Sequence, residues 1–425
     1  MKQVYNALPI WAQTLAVNFA SRQNFRLKYG GVFRGWLVDL EHNEKKSRDE
    51  LLHQQQVAIR YLLEYAVEHV PAYKGRSPEK LSEWPILEKR EITGAHLSDE
   101  FQPRDLMELH TSGTTGTPLT VKFSKEYHQV EMAFRWRHKA WAGVPFLSSS
   151  AYVSGHPVVP PMQTKPPFWR WDRYEKRLLC SSYHIDPPAY AAAFQKYRPD
   201  FIHGYPSSLC QLGLPAEALA KTGGYKPKAV FTASETLLDH QRAAIEAGFG
   251  AKVFNWYGNT EMTCNIVECA AGNLHYRTDY GFLELLDDGT MIVTGLNNRA
   301  MPLIRYRIGD RATAKAGACS CGVAFPLIER IEGRVEDYVR TPSGRLIGRL
   351  DHLFKDARYV KEAQIVQRQL DEIIIRVVKT GPFDEAPVRA EARQRLGDMR
   401  VTFEYVDRIE RTAAGKFRFV ISEWR

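Results

Sequence analysis

From about residue 148 to residue 261 the chain alternates short apolar runs with helical or loop segments, a pattern that confines it to a parallel sheet with crossover helices. The strands fall at Ala151-Tyr152-Val153, Asp200-Phe201-Ile202, Ala229-Val230-Phe231 and Lys252-Val253-Phe254. Each of the last three runs directly into a polar or glycine-bearing segment, at residues 203 to 207, 232 to 235 and 255 to 261. Open parallel sheets bind ligands outside the carboxyl ends of their strands, so these three segments are expected to converge on one site.

A second feature suggests the ligand. Thr111-Ser112-Gly113-Thr114-Thr115-Gly116-Thr117-Pro118 supplies glycines that let the main chain approach a charged group, and hydroxyls that can donate to phosphate oxygens. It is not a Walker A loop, because the glycines are too close together and no lysine follows. An ordinary Ser/Thr/Gly surface turn is the competing reading.

The remaining segments read as scaffold. Ser47-Arg48-Asp49-Glu50 is a capping box opening a long amphipathic helix that Pro71 ends. After residue 272 the pattern is β-rich, with Asp287-Asp288-Gly289 as a hairpin turn. Beyond Gly333 a smaller α+β unit is expected, with strands around Ile365-Val366, Ile373-Ile374-Ile375 and residues 401 to 406, and a helix near 385 to 397. The fold class is therefore α/β: a large N-terminal domain over residues 1–335, with a parallel sheet and a β-rich part, and a small α+β C-terminal lid over 336–425.

Composition narrows the function classes. Lys+Arg 58 against Asp+Glu 49 gives a net charge of +9, a dispersed excess that suits ATP, CoA or another anion and equally suits an acidic membrane surface or no specific partner. Basic runs interleaved with aromatics are absent from the sequence, so nucleic-acid binding is not expected. Six unevenly spaced cysteines do not make a secreted disulfide framework, which points to a reducing cytoplasm. The apolar stretch at residues 10 to 20 is broken by Gln13, Thr14 and Asn18; it reads as a docked helix, with peripheral membrane contact as the alternative.

Five motifs in order resemble those of the adenylate-forming enzymes, the acyl-CoA synthetase superfamily. They are the 111–118 loop, Asn255-Trp256-Tyr257-Gly258-Asn259-Thr260-Glu261, Arg305-Tyr306-Arg307-Ile308-Gly309-Asp310, Gly333-Arg334-Val335-Glu336-Asp337, and Arg411-Thr412-Ala413-Ala414-Gly415-Lys416. The phrase Arg299-Ala300-Met301-Pro302-Leu303-Ile304-Arg305-Tyr306 resembles the phenylacetate-CoA ligase-like branch, which includes capsular polysaccharide-associated members.

The resemblance implies an ATP-dependent, AMP-forming ligase that makes an acyl-adenylate from a small carboxylic acid and passes the acyl group to CoA. Thr111, Ser112, Gly113, Thr114, Thr115 and Gly116 would hold the phosphates, Thr260 and Glu261 the Mg²⁺ side, Tyr257 the adenine and Asp310 the ribose; Gly258 is a further nucleotide-binding candidate, and Arg334 would contact the ribose or phosphates, with a plain surface ion pair as its alternative. Lys416 would stabilise the adenylation transition state by its charge, and Glu336 would be the hinge. Thr117 stands where many relatives carry lysine, so Lys122, Lys125 or the metal are expected to add phosphate affinity. Cys319 and Cys321, with Cys269 and His275, resemble a structural Zn²⁺ set, with Cys264 as a weaker alternative ligand and buried free cysteines as the competing reading. Two other functions are kept: transfer to an amine, hydroxyl or carrier in polysaccharide biosynthesis, and nucleotide binding without turnover. Tyr205, Ser234, Glu235, Gly258 and Asn259 are candidate liners of the acid pocket.

Overall fold

The structure, a computed structural model, describes residues 2–110, 119–154, 158–160, 162–212, 225–334, 338–344, 346–347, 350–354, 357, 359–411 and 417–423. Four helices come first: α1 (Lys2–Ala7), α2 (Ile10–Tyr29), α3 (Phe33–Asn43) and α4 (Arg48–His69). The expected capping box opens α4, with Ser47 Oγ accepting from the Glu50 amide at 3.3 Å and Glu50 Oε2 accepting from the Ser47 amide at 2.7 Å. The helix stops at His69, and Pro71 begins a separate short turn.

A hairpin of β1 (Met107–His110) and β2 (Thr120–Phe123) brackets the 111–118 segment, and helix α5 (Lys125–Trp141) follows, capped by Ser124. Next come β3 (Ser150–Ser154), β4 (Trp169–Asp172), β5 (Arg177–Ser181), α6 (Pro187–Tyr197), β6 (Phe201–Gly204), α7 (Pro206–Leu212), β7 (Ala229–Ala233), α8 (Asp239–Phe249) and β8 (Val253–Gly258). Strands β5, β3, β6, β7 and β8 run parallel, as the alternating pattern predicts.

The β-rich part does not form a separate sheet. Strands β9 (Asn265–Glu268), β10 (Leu274–Tyr276), β11 (Gly281–Leu285), β12 (Thr290–Gly295), β13 (Tyr306–Lys315) and β14 (Leu327–Arg334) extend the same sheet antiparallel. The order is β11-β12-β13-β14-β10-β9-β8-β7-β6-β3-β5-β4, twelve strands in all. On one face α6, α7 and α8 cover a core of Val153, Ile202, Val230, Ile245, Phe249 and Val253; on the other α3 and α5 cover Phe201, Phe231 and Phe254.

The C-terminal unit has its own sheet and core. A small ladder of β15 (Val339–Arg340) and β16 (Leu346–Ile347) leads to β17 (Val360–Gln369), β18 (Glu372–Lys379), α9 (Ala386–Leu396), β19 (Arg400–Tyr405) and β20 (Val420–Ser422), ordered β19-β18-β17-β20. Val339, Ile365, Ile375, Val388 and Leu396 pack together there, within a few residues of the expected elements.

Candidate active site

The carboxyl ends of β6, β7 and β8 carry the segments that the sequence expects to converge. After β8 the chain turns through Asn259, whose side-chain oxygen accepts from the amides of Thr263 and Cys264 at 3.1 and 3.2 Å, while Met262 takes a left-handed φ of 54°. That turn presents half-buried Thr260 and buried Glu261. The Glu261 carboxylate accepts from Tyr306 Oη at 3.0 Å and from Asn259 Nδ2 at 3.2 Å, so its position is fixed from two sides.

Asp310, on β13, is buried and accepts from Tyr257 Oη at 2.5 Å. The two residues expected at adenine and ribose are thus directly joined. In the β13–β14 ladder Asp310 is paired across from Arg334, which puts a third expected nucleotide residue at the same level of the sheet. Gly258 is exposed at the end of β8, where an added Cβ would come within 2.9 Å of Trp256 Nε1.

Just after β7, Ser234 takes a left-handed φ of 72°, and Glu235 follows it at the strand ends. Its carboxylate accepts from the Ser207 amide, near the start of α7, at 3.1 Å and from the Phe417 amide of the C-terminal unit at 2.6 Å. Burial pushes this carboxyl up, against the pull of the two backbone donors. A second tie joins the units, because Gln211 Nε2 donates to Glu362 Oε1 at 2.8 Å and Arg411 pairs with the same carboxylate. Lys416, residues 111–116 and Glu336 lie outside the described residues.

Arg305 has a structural task, forked onto Glu284 at 2.9 and 3.0 Å and donating to the carbonyls of Ser82 and Trp84. Lys122 is paired with Glu108 at 3.0 Å across the β1–β2 hairpin, and Lys125 opens α5.

Some 50 residues apart in sequence, the β9–β10 turn and the β13–β14 connection bring four donors together. The ligand atoms of Cys269, His275, Cys319 and Cys321 all lie within 4.8 Å of one another. Cys269 and Cys319 sulfurs are 3.6 Å apart, and Cys321 Sγ is 3.4 Å from His275 Nε2. A tetrahedral ion with bonds of about 2.3 Å to sulfur separates its ligands by about 3.8 Å, so the set has the size and chemistry of a structural zinc centre. His275 Nδ1 is 3.1 Å from the Phe325 carbonyl, which leaves Nε2 for the metal side. Cys264 is buried in the core beside Ile266 and Tyr276 and does not join this group.

The chain is similar to several known proteins. Residues 339–423 match the CapK C-terminal domain family. Protein CapK of Staphylococcus aureus is 28% identical over 342 residues, covering 75% of this chain and 74% of that protein. A phenylacetate-coenzyme A ligase of Thermus thermophilus is 24% identical over 406 residues, 84% of this chain and 82% of that enzyme. Among solved structures, 2-hydroxyisobutyryl-CoA ligase in its postadenylation state, in complex with R3-HIB-AMP, superposes with a TM-score of 0.68 at 18% identity, covering 90% of this chain and 92% of that one. The same ligase in the thioesterification state, with 2-HIB-AMP and CoA, superposes at 0.53.

The chain is similar in sequence to CapK and to phenylacetate-CoA ligases, and it shares its fold with adenylate-forming CoA ligases. A second phenylacetate-coenzyme A ligase, of Pseudomonas putida, is 23% identical over 401 residues, 83% of this chain and 84% of that enzyme.

Within this adenylate-forming fold, sequence reasoning did not single out the charged interior beside α5. Tyr127 Oη donates to the Met262 carbonyl at 3.1 Å, which ties the start of α5 to the Glu261 turn. One turn apart along that helix follow Glu131, Arg135 and Lys139. Glu131 accepts from Arg135 Nε at 2.9 Å and from Tyr280 Oη at 2.8 Å. Lys139 Nζ lies 5.3 to 5.6 Å from the rings of Trp136, Phe201 and Phe231. Burial, helped by the Arg135 and Arg177 charges, lowers its pKa to about 7. The signal was available as a four-residue spacing, but on a helix it is read first as a solvated face. His203 packs against Tyr152 with ring centroids 4.8 Å apart, and His184 stacks on Phe168 at 5.0 Å.

Proposed function

We propose that the chain is an ATP-dependent, AMP-forming carboxylate-activating ligase that forms an acyl-adenylate and transfers the acyl group to CoA. The observation that carries this reading is the Phe417–Glu235 hydrogen bond. It fastens the residue next to Lys416 over the strand ends that hold Glu261 and the Tyr257–Asp310 pair. In that setting Asp310, oriented by Tyr257, would bind the ribose hydroxyls, and Thr260 with Glu261 would hold the Mg²⁺ side of the phosphates. Residues 111–116 would cradle the phosphates, and Lys416 would offset negative charge as carboxylate oxygen attacks the α-phosphorus and pyrophosphate leaves. On this reading residues 1–335 form the catalytic body and 336–425 a lid turning about Glu336, which the separate core beginning at Val339 supports.

The four-donor cluster would hold one structural Zn²⁺. Six unpaired cysteines and that thiolate set fit a reducing, cytoplasmic setting. The resemblance of residues 299–306 to a branch with capsular polysaccharide-associated members keeps a second acceptor reading, in which an amine, hydroxyl or carrier of a polysaccharide pathway takes the acyl group.

The test is ATP–pyrophosphate exchange across a library of carboxylic acids, followed by CoA and other acceptors. One class of acid should support exchange, and Lys416→Ala should reduce exchange by about a hundredfold or more while sparing consumption of a supplied acyl-adenylate. Exchange with none of the acids, under conditions where ATP binds, would sink the activation reading and leave nucleotide binding without turnover.

A further inference from the structure

Helix α2 lies against the edge strand β4, and its first half turns polar side chains toward that strand. Gln13 Oε1 accepts from Arg170 Nε at 3.0 Å, and Asn18 donates to the Trp171 carbonyl at 2.8 Å and accepts from the Arg173 amide at 3.0 Å. Farther along, Lys28 pairs with Glu175 at 2.7 Å. The buried residues of this helix are Gln13 and Ser21. Three of its large apolar side chains point away from the protein, Trp11, Leu15 and Phe19 retaining 69%, 62% and 67% of their surface, while Val17, Phe25, Leu27 and Tyr29 are half-buried.

The outward face also carries charge of one sign. At 3.6 residues per turn, Trp11, Leu15, Phe19, Arg22 and Arg26 fall within an arc of about 80°, and both arginines are exposed. In the first 38 residues the basic side chains are Lys2, Arg22, Arg26, Lys28 and Arg34, and the first acid is Asp39. Val4 on α1 adds another exposed apolar side chain, 69% accessible.

A water-facing helix places its polar residues outward, so an outward row of Trp, Leu and Phe calls for an apolar cover. A second copy of the chain fits poorly, because a two-fold interface would set this acid-free segment against itself and oppose its arginines. An anionic lipid surface fits both halves of the face: the rings and the leucine enter the boundary between headgroups and acyl chains, and the arginines meet the lipid phosphates. Among the described residues no helix is long and apolar enough to cross a membrane.

We propose that the outward face of α2 docks the protein on the surface of an anionic lipid bilayer, lying in its plane. The inference is independent of the reaction proposed above. It is tested by co-sedimenting the full chain with vesicles of phosphatidylcholine alone and of phosphatidylcholine mixed with phosphatidylglycerol. Binding to the anionic vesicles should be about tenfold or more tighter than to the neutral ones, and should weaken as salt is raised. Leu15→Asp with Phe19→Asp should abolish it, and Arg22→Gln with Arg26→Gln should weaken it about tenfold or more, with melting temperatures at the wild-type value. The arginine pair keeps the test decisive if the aspartate variant does not fold. Absence of binding to either vesicle, or binding undiminished in both variants, overturns the proposal. So does a concentration-dependent dimer in gel filtration that the variants dissolve, which would make a second copy the cover.

Discussion

Lys139 sits where an ammonium ion is least stable, held among three aromatic rings with the Arg135 backbone carbonyl at 3.2 Å as a hydrogen-bond acceptor. Its pKa falls from 10.5 in the unfolded chain to about 7 in the fold. Between those values the unfolded state binds a proton that the folded state does not, so this residue makes stability rise with pH, by up to about 1.4 kcal/mol per unit. Lys139→Met removes the amine and keeps the stem. The variant should be more stable at pH 7, by on the order of a few kcal/mol, and its urea midpoint should climb less steeply between pH 7 and pH 9. Parallel pH profiles for the two proteins would reject the assignment. Glu261 and Asp310 were legible from the sequence because short motifs surround them, whereas Lys139 was not. Its chemistry comes from Phe201 and Phe231, more than 60 residues away, and no local spacing reveals that neighbourhood.

Elements whose signals are local appear where periodicity puts them. The Asp287-Asp288-Gly289 turn joins β11 to β12, with Gly289 at a φ of 83°, and the Ser47–Glu50 box opens α4. The sheet's continuity was not legible, since the pairing of β10 with β14 joins residues about 50 apart and depends on how the whole sheet twists. Helix α2 shows the same limit from the other side: its helical character is written in the sequence, but the face it docks with depends on β4. The proposed zinc ligands gather beside that β10–β14 junction, and so they bear on the element scale. Protein purified without added metal should contain about one zinc per chain, and Cys321→Ser should lose it. The loss should lower the melting temperature before it alters nucleotide binding, because the cluster lies toward the amino end of β8, away from the carboxyl strand ends that carry Glu261. Elemental analysis with thermal melts decides this, and a metal-free wild type of undiminished stability would refute the cluster's structural role.

At the scale of the whole molecule, the question is what holds the C-terminal unit over the strand ends. Glu235 is the centre of that contact, since one carboxylate oxygen takes the Ser207 amide and the other the Phe417 amide. Glutamine at this position has a single acceptor oxygen, and its NH₂ would face an N–H donor, so one of the two bonds must be given up. Loss of a hydrogen bond to a charged group is worth about 1.5–3 kcal/mol, or roughly tenfold to a hundredfold. On the proposed two-pose cycle, that loss falls on the pose in which Lys416 reaches the phosphates. Glu235→Gln should therefore slow ATP–pyrophosphate exchange by that factor while sparing attack of the acceptor on a supplied acyl-adenylate. Glu336→Pro should do the reverse, because a fixed φ at the hinge hinders rotation and leaves the adenylation pose in place. Measuring both half-reactions in both variants separates a lid that turns from one that is merely attached. Equal losses in the two half-reactions for Glu235→Gln would mean that the contact serves overall stability, and that the lid's closure over Glu261 and Asp310 is not what drives adenylation.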